Sequence, residues 1–99
     1  MTSTLHTVNK SPLQTSLWTQ CLNALLPGDT LLAIENGVLL ISDQALISKI
    51  KATGCSIAFL EPDLCARGLH TYPLEDTQRI TMEGFVNLSC QHQKVVSWF

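Results

Sequence analysis

Short apolar runs alternate with helix-like segments along this 99-residue chain, and that alternation most restricts its fold. Four runs have the length of a β-strand: residues 4–8, 31–34, 56–60 and 95–99. The second run is apolar at every position, which is typical of a strand covered on both faces, as in a parallel sheet. We therefore predict an α/β fold, a small layered sandwich with a largely parallel sheet, as one domain over residues 1–99.

The first segment between the runs carries the signals of an amphipathic helix. Its apolar side chains recur every fourth residue, at Leu13, Leu17, Cys21 and Leu25. Ser11 and Gln14 have the spacing of a capping box, with Pro12 at the first helical position. We predict a helix that begins at Ser11 and ends at Pro27-Gly28.

Three further helices are predicted from their caps and stops: one from Asp43 to near Gly54, one over residues 62–67 ended by Gly68, and one capped by Thr81. Asp63 and Arg67 stand one turn apart in the second of these, which predicts an i,i+4 ion pair. A polar loop is expected between Gly68 and Thr81.

Residues 36–41 have two interpretations. Asn36-Gly37 between two apolar runs is typical of a β-hairpin turn. The same residues can also lead a buried strand directly into a short helix. The residue pattern leaves both open.

Charged residues make up only 14% of the chain, against about 25% in an average soluble domain. We expect part of the apolar surface to be buried against other proteins. The net charge of −2 lacks the basic stripe of a nucleic-acid-binding protein. No apolar run approaches the roughly 20 residues of a membrane span, and the polar start is unlike a signal peptide. We expect a cytoplasmic protein without direct contact to nucleic acid or membrane.

The cysteines are four in number: Cys21, Cys55, Cys65 and Cys90. No two are spaced as CxxC, and no cysteine–histidine spacing fits a structural zinc site. Without a secretory signal, reduced thiols are a better interpretation than two disulfides. We expect neither a metal nor another cofactor.

A series of short segments forms a recognisable pattern along the chain: residues 5–12 (LHTVNKSP), 28–29 (GD), 35–38 (ENGV), 61–68 (EPDLCARG), 85–86 (FV), His92, 94–95 (KV) and 97–98 (SW). Together they resemble the DsrH/TusB family of sulfur-relay subunits over nearly the whole chain. The resemblance implies a doubly wound, flavodoxin-like fold of the DsrE/DsrF/DsrH type. For residues 36–41 it favours the exit from a strand into a helix.

The resemblance also implies a function. The chain would be a subunit of a cytoplasmic hetero-oligomeric sulfurtransferase, a heterohexamer with two related small α/β subunits, one DsrE/TusD-like and one DsrF/TusC-like. A partner carries the principal persulfide cysteine, so this chain would be non-catalytic or an accessory sulfur carrier. A DsrC/TusE-like carrier accepts the sulfur downstream.

Two branches of the family put this sulfur to different uses. One feeds 2-thiolation of the tRNA wobble uridine, which we favour, and the other belongs to dissimilatory sulfur oxidation. The alternative outside the family is a homo-oligomeric α/β interaction module without sulfur chemistry.

Cys21 is the candidate persulfide carrier, because a cysteine in the first helix recurs in part of the family. Its position on the apolar stripe favours a packing role instead. The helix dipole lowers a thiol pKa only in the first helical turn, and Cys21 lies beyond that turn. We expect Cys65 and Cys90 to be small packing residues as well.

Two further sites are singled out by residue type. His6 lies near the carboxyl end of the first strand, a position from which a histidine can act in proton transfer. The interpretation we favour is that His6 hydrogen-bonds to neighbouring backbone or to a partner subunit. Trp98 and Phe99 form an aromatic pair that would fray unless buried, which predicts an interface with a partner subunit.

Overall fold

Five parallel strands form one sheet in the computed structural model, which describes residues 3–73 and 77–99. The strands are β1 (Thr4–Val8), β2 (Thr30–Ala33), β3 (Ser56–Leu60), β4 (Gln78–Ile80) and β5 (Lys94–Trp98). They lie in the order β4-β3-β2-β1-β5, and every neighbouring pair is parallel. The predicted α/β architecture is confirmed, and the sheet is parallel throughout.

Helices connect the strands. They are α1 (Thr15–Ala24), a 3₁₀ helix (Glu35–Ser42), α2 (Gln44–Ala52), α3 (Glu61–Ala66) and α4 (Met82–Gln91). The 3₁₀ helix follows directly on β2, so the strand leads into a helix and the hairpin interpretation of residues 36–41 is wrong. No helix in the described part of the chain has the length and apolar character needed to cross a bilayer.

The two faces of the sheet are covered unequally. On one face, side chains from α1, the 3₁₀ helix, α2 and α3 pack with strand residues in a large core that includes Trp18, Val38, Ile50, Phe59 and Leu64. On the other face, the small buried group of Leu5, Leu32 and Ala58 is covered by partly buried side chains such as Phe85 and Leu88 of α4. Every residue of α4 keeps some exposure to solvent.

Two of the predicted helix caps are confirmed. The Asp43 carboxylate accepts a hydrogen bond from the Leu46 N–H at 3.0 Å, and the Thr81 hydroxyl accepts one from the Gly84 N–H at 3.1 Å. Each satisfies a backbone donor that the first helical turn cannot pair internally. Gly68 has a φ of +69°, as expected of a residue that ends a helix.

The predicted start of the first helix is wrong. Ser11 lies in a turn, where its hydroxyl accepts the Leu13 N–H at 3.2 Å and its carbonyl accepts the Gln14 N–H at 3.0 Å. α1 begins only at Thr15 and has no side-chain cap. The Trp18 Nε1–H donates to the Ser11 carbonyl at 2.9 Å, so tertiary contact with the indole holds this segment in a turn.

Strand β4 was not predicted. It lies within the expected polar loop, of which residues 74–76 lie outside the described residues. Its three residues, Gln-Arg-Ile, have no apolar alternation that could distinguish them from a loop. Pairing with β3 defines the strand.

Gly37 is the residue that allows the chain to turn from β2 into the 3₁₀ helix. A Cβ at this position would lie 2.1 Å from the Val8 carbonyl oxygen. That oxygen also accepts the Ile34 N–H at 3.0 Å, so it cannot move away without loss of a hydrogen bond. The close approach of the two backbones therefore requires glycine.

We expect Gly37→Ala to lower the free energy of unfolding by about 3 kcal/mol, because a methyl group would overlap the β1 backbone. Urea denaturation followed by circular dichroism measures this. Gly68→Ala is the matched control: open space surrounds its Cβ position, so only the positive φ opposes the change, at a cost of about 1 kcal/mol. Equal losses in the two variants would contradict the close-approach argument.

Candidate functional site

A buried hydrogen-bond chain links Asp29, His6 and Trp98. His6 Nε2 lies 3.0 Å from Asp29 Oδ2, and the Trp98 Nε1–H donates to His6 Nδ1 at 3.1 Å. His6 and Asp29 are each only 3% exposed. These hydrogen bonds connect the segment before β2 with β1 and then with the edge strand β5.

The Asp29 carboxylate is stabilised by three N–H donors. Burial alone would raise the pKa of its carboxyl. The Thr4 N–H at 3.0 Å, the His6 ring and the Leu26 N–H at 3.1 Å together outweigh burial and hold the pKa below its ordinary value. Asp29 is therefore a buried anion whose two carboxylate oxygens both accept hydrogen bonds.

The hydrogen bonds determine the tautomer of His6. An indole N–H can only donate, so Nδ1 is an acceptor and the ring proton resides on Nε2, facing Asp29. The His6 and Trp98 rings stack with an interplanar angle of 22°. Both ring nitrogens are occupied within the chain, which supports the hydrogen-bonding interpretation of His6. Its partners are side chains, however, and not neighbouring backbone.

Two of the four thiols are buried. Cys21 on α1 is fully buried, and burial, together with nearby Cys55, raises the pKa of its thiol to about 12. Burial, together with the Asp29 charge, likewise raises the pKa of Cys55 to about 12. A thiol acts as a nucleophile only as the thiolate, so neither cysteine is activated in this conformation. The packing position expected for Cys21 is the one observed.

The other two thiols are exposed, so the packing role predicted for them is wrong. Cys65 lies on the solvent side of α3, whose buried residue is Leu64. Cys90 lies on α4, which covers the sheet only partly. Leu64 is the buried position of α3, and no residue of α4 is fully buried, so neither helix encloses its cysteine.

Polar side chains gather at the carboxyl ends of β2 and β3. Arg67 donates through Nε and Nη2 to the Asn36 side-chain oxygen at 3.1 and 3.0 Å. Its Nη1 donates to the Asp63 main-chain carbonyl at 3.2 Å. The Asp63 carboxylate instead accepts the Glu35 N–H at 2.6 Å. The predicted Asp63–Arg67 ion pair is therefore wrong, because the Asp63 carboxylate binds the Glu35 N–H and the Arg67 guanidinium binds the Asn36 amide oxygen.

These contacts hold an unusual backbone conformation. Glu35 has a φ of +48°, in the left-handed region that a side chain disfavours. The Asp63 carboxylate accepts the Glu35 N–H, and Arg67 donates to the side chain of the next residue, Asn36. Residues 61–68 thus fix the backbone where the chain leaves β2, through Asp63 and Arg67.

The predicted interface residues lie at the end of β5. Trp98 is partly buried against the large core and bonded to His6, whereas Phe99 is 77% exposed. Only Phe99 thus remains free for a partner through most of its side chain. Among the described residues, no three His, Cys, Asp or Glu side chains are grouped as a metal site requires.

Asp29 is the residue of this site that the sequence interpretation missed. It stood in the pattern only as part of Gly28-Asp29 before an apolar strand. An acidic residue directly before a buried strand is a signal that could have marked Asp29 as a residue needing a buried partner. Nothing in the local pattern indicates that the two residues meet.

The chain is similar to known proteins over nearly its whole length. A family model described as DsrH like protein matches residues 10–95. Proteins named Protein TusB are 33% identical in Photorhabdus laumondii and 32% identical in Shigella flexneri, each match covering 95% of this chain and 99% of the relative. The crystal structure of the ychN protein from E. coli superimposes with a TM-score of 0.74 at 17% identity, covering 99% of this chain and 100% of that one.

We expect acid to weaken the fold through Asp29. Its carboxyl pKa is lowered in the folded state, so its contribution is complete above the ordinary value of 3.8 and is lost as pH falls through the lowered folded-state pKa. Asp29→Asn should lose about 1–3 kcal/mol of unfolding free energy at neutral pH, because donors lose a charged acceptor. It should also flatten the pH dependence of urea midpoints below pH 4, whereas an unchanged slope would contradict this.

We expect two fast-reacting and two protected thiols in the native protein. Exposed Cys65 and Cys90 should react with a maleimide within minutes, while Cys21 and Cys55 should react only after unfolding, since burial shields them and suppresses the thiolate. Peptide mass spectrometry after timed labelling identifies each site. Labelling of Cys21 at the rate of Cys65 would overturn the assignment.

Proposed function

Since this chain belongs to the DsrH family, we propose that it is a subunit of a cytoplasmic sulfur-relay complex. The complex would pass persulfide sulfur toward 2-thiolation of the tRNA wobble uridine. The observation that carries this proposal is full-length similarity to relatives named Protein TusB, which favours the tRNA branch over sulfur oxidation.

The proposed partners are two related small α/β subunits, DsrE/TusD-like and DsrF/TusC-like, in a heterohexamer. The surface supports association with other proteins, because large apolar side chains lie open to solvent: Leu13, Leu26, Met82, Val86, Val95 and Phe99. Phe99 in particular has the size and exposure of an interface anchor. A DsrC/TusE-like protein would accept the sulfur downstream.

Sulfur relay requires an accessible thiolate. The thiolate attacks the terminal sulfur of a donor persulfide, a new persulfide forms, and the donor leaves as a thiolate. Burial and a raised thiol pKa argue against this role for Cys21 in the folded chain. We therefore propose that a partner holds the sulfur and that this chain supports the complex. Persulfide formation on Cys21 stays a prediction, which would require α1 to open.

A cell that lacks this chain should lose most 2-thiouridine at the tRNA wobble position. Mass spectrometry of tRNA nucleosides measures the loss, and the wild-type chain should restore the modification. Tagged wild-type chain, isolated gently, should bring down two related small subunits. Unchanged thiouridine in the deletion strain would overturn the tRNA role, and loss of sulfur oxidation in its place would establish the other branch.

Cys21→Ala and Cys65→Ala should both restore thiolation in that strain, because neither thiol is proposed to hold the sulfur. Cys21→Ala should also destabilise the chain by about 1–2 kcal/mol, since it removes a buried side-chain atom. Unfolding midpoints separate this effect from chemistry. A stable Cys21→Ala variant without thiolation, together with a persulfide on Cys21 in the loaded complex, would make this chain a carrier.

A further inference from the structure

The two edges of the sheet differ in how well they are protected against pairing with another strand. β4 is only three residues long and carries Arg79, and a short, charged strand is a common protection of an edge. β5 has five residues, and Lys94 at its start is its one charged side chain. An edge strand of this length with so little charge is a template for pairing.

Some backbone N–H and C=O groups of β5 point away from β1, toward the side where a second strand could pair. Trp98 accepts the Asn9 N–H through its carbonyl at 3.4 Å, so the even-numbered residues of β5 direct their backbone groups toward β1. Backbone groups alternate in direction along a strand. The N–H and C=O of Val95 and Ser97 therefore point away from the sheet.

The side chains of β5 are also incompletely covered. Val95 lies on the α4 side of the sheet and is 49% exposed, whereas Val96 lies on the α1 side and is 36% exposed. Strands of parallel sheets are normally buried on both faces. Apolar surface is thus open on both faces of the same edge strand.

We propose that β5 pairs in antiparallel orientation with β5 of a second copy of this chain, around a two-fold axis at Val96. In this register Val96 faces itself, and Val95 of each copy faces Ser97 of the other. Val95 and Ser97 are the residues whose N–H and C=O groups point outward, so each Val95–Ser97 pair forms two N–H···O=C hydrogen bonds between the copies. Val96 then forms the close, non-hydrogen-bonded pair, with Cα atoms about 4.5 Å apart.

The charges and the residue pairing both favour this register, and they favour a second copy of this chain as the partner of β5. Lys94 of each copy faces Trp98 of the other, so a cation meets an aromatic ring instead of a like charge. A register centred on Lys94 would place two cations opposite each other. The axis at Val96 also pairs every residue of β5, so the strand is complementary to itself, as a two-fold contact requires.

Light scattering of the full chain after gel filtration tests the proposal. The wild type should have the mass of two chains, and Val96→Lys and Val96→Glu should each have the mass of one, because like charges would meet at the axis. A mixture of the two variants should restore the two-chain mass. Val86→Lys, at an exposed position of α4, is the matched control and should remain a dimer.

A crosslink tests the contact even if the charged variants fail to fold. Val96→Cys, in a chain whose exposed cysteines are replaced (Cys65→Ser, Cys90→Ser), should form a disulfide between two copies on mild oxidation. The Cα spacing at the axis lies within the range that a disulfide spans. Val86→Cys in the same background should not crosslink. The reaction can also be run on the complex isolated gently from cells.

Three results would overturn the proposal: a wild type with the mass of one chain, a Val96→Lys variant that is folded and still dimeric, or a complex in which Val96→Cys crosslinks to a different protein. The inference does not depend on sulfur chemistry. Neither the mass measurement nor the crosslink depends on sulfur transfer. A failure of the β5 pairing would therefore leave the proposed function unaffected, and a failure of the proposed function would leave the β5 pairing unaffected.

Discussion

The buried Asp29 carboxylate is the contact on which the arrangement around β1 depends. A buried charge is strongly unfavourable unless hydrogen bonds replace its hydration. Here the carboxylate accepts from the start of β1, from the turn after α1 and from His6, while the Asp29 carbonyl accepts the Ser56 N–H at the start of β3. Through His6 the same network reaches Trp98 on the edge strand. The carboxylate and the main-chain carbonyl of this one residue, which directly precedes β2, thus connect it to β1, β3 and, through His6, β5.

The unequal cover of the sheet explains why this chain is suited to assembly. Four helical segments close one face over a large core, whereas α4 is the one helix on the opposite face in the described part of the chain, and every residue of α4 keeps some exposure. The shortage of charge in the composition appears in the structure as open apolar side chains such as Val86, Val95 and Phe99. Association with other subunits removes that surface from water, which is the main favourable term in protein association.

The cysteines show what pattern analysis can and cannot predict about a site. The apolar stripe through Cys21 correctly placed it in the core, because helical spacing determines which side chains share a face. The same statistics failed for Cys65 and Cys90, since a residue type's average burial says nothing about how closely a particular helix is covered. His6 was recognised as satisfied, but its partners were not.

Local features of this protein were determined by the sequence alone. The bounds of β1 and β3, the Asp43 and Thr81 caps, and the α/β alternation all follow from neighbouring residues. β4, the turn at Ser11 and the His6–Asp29–Trp98 network were decided only by the tertiary structure. The network joins residues as far as 92 positions apart, and the local sequence pattern does not show which segments the fold brings together.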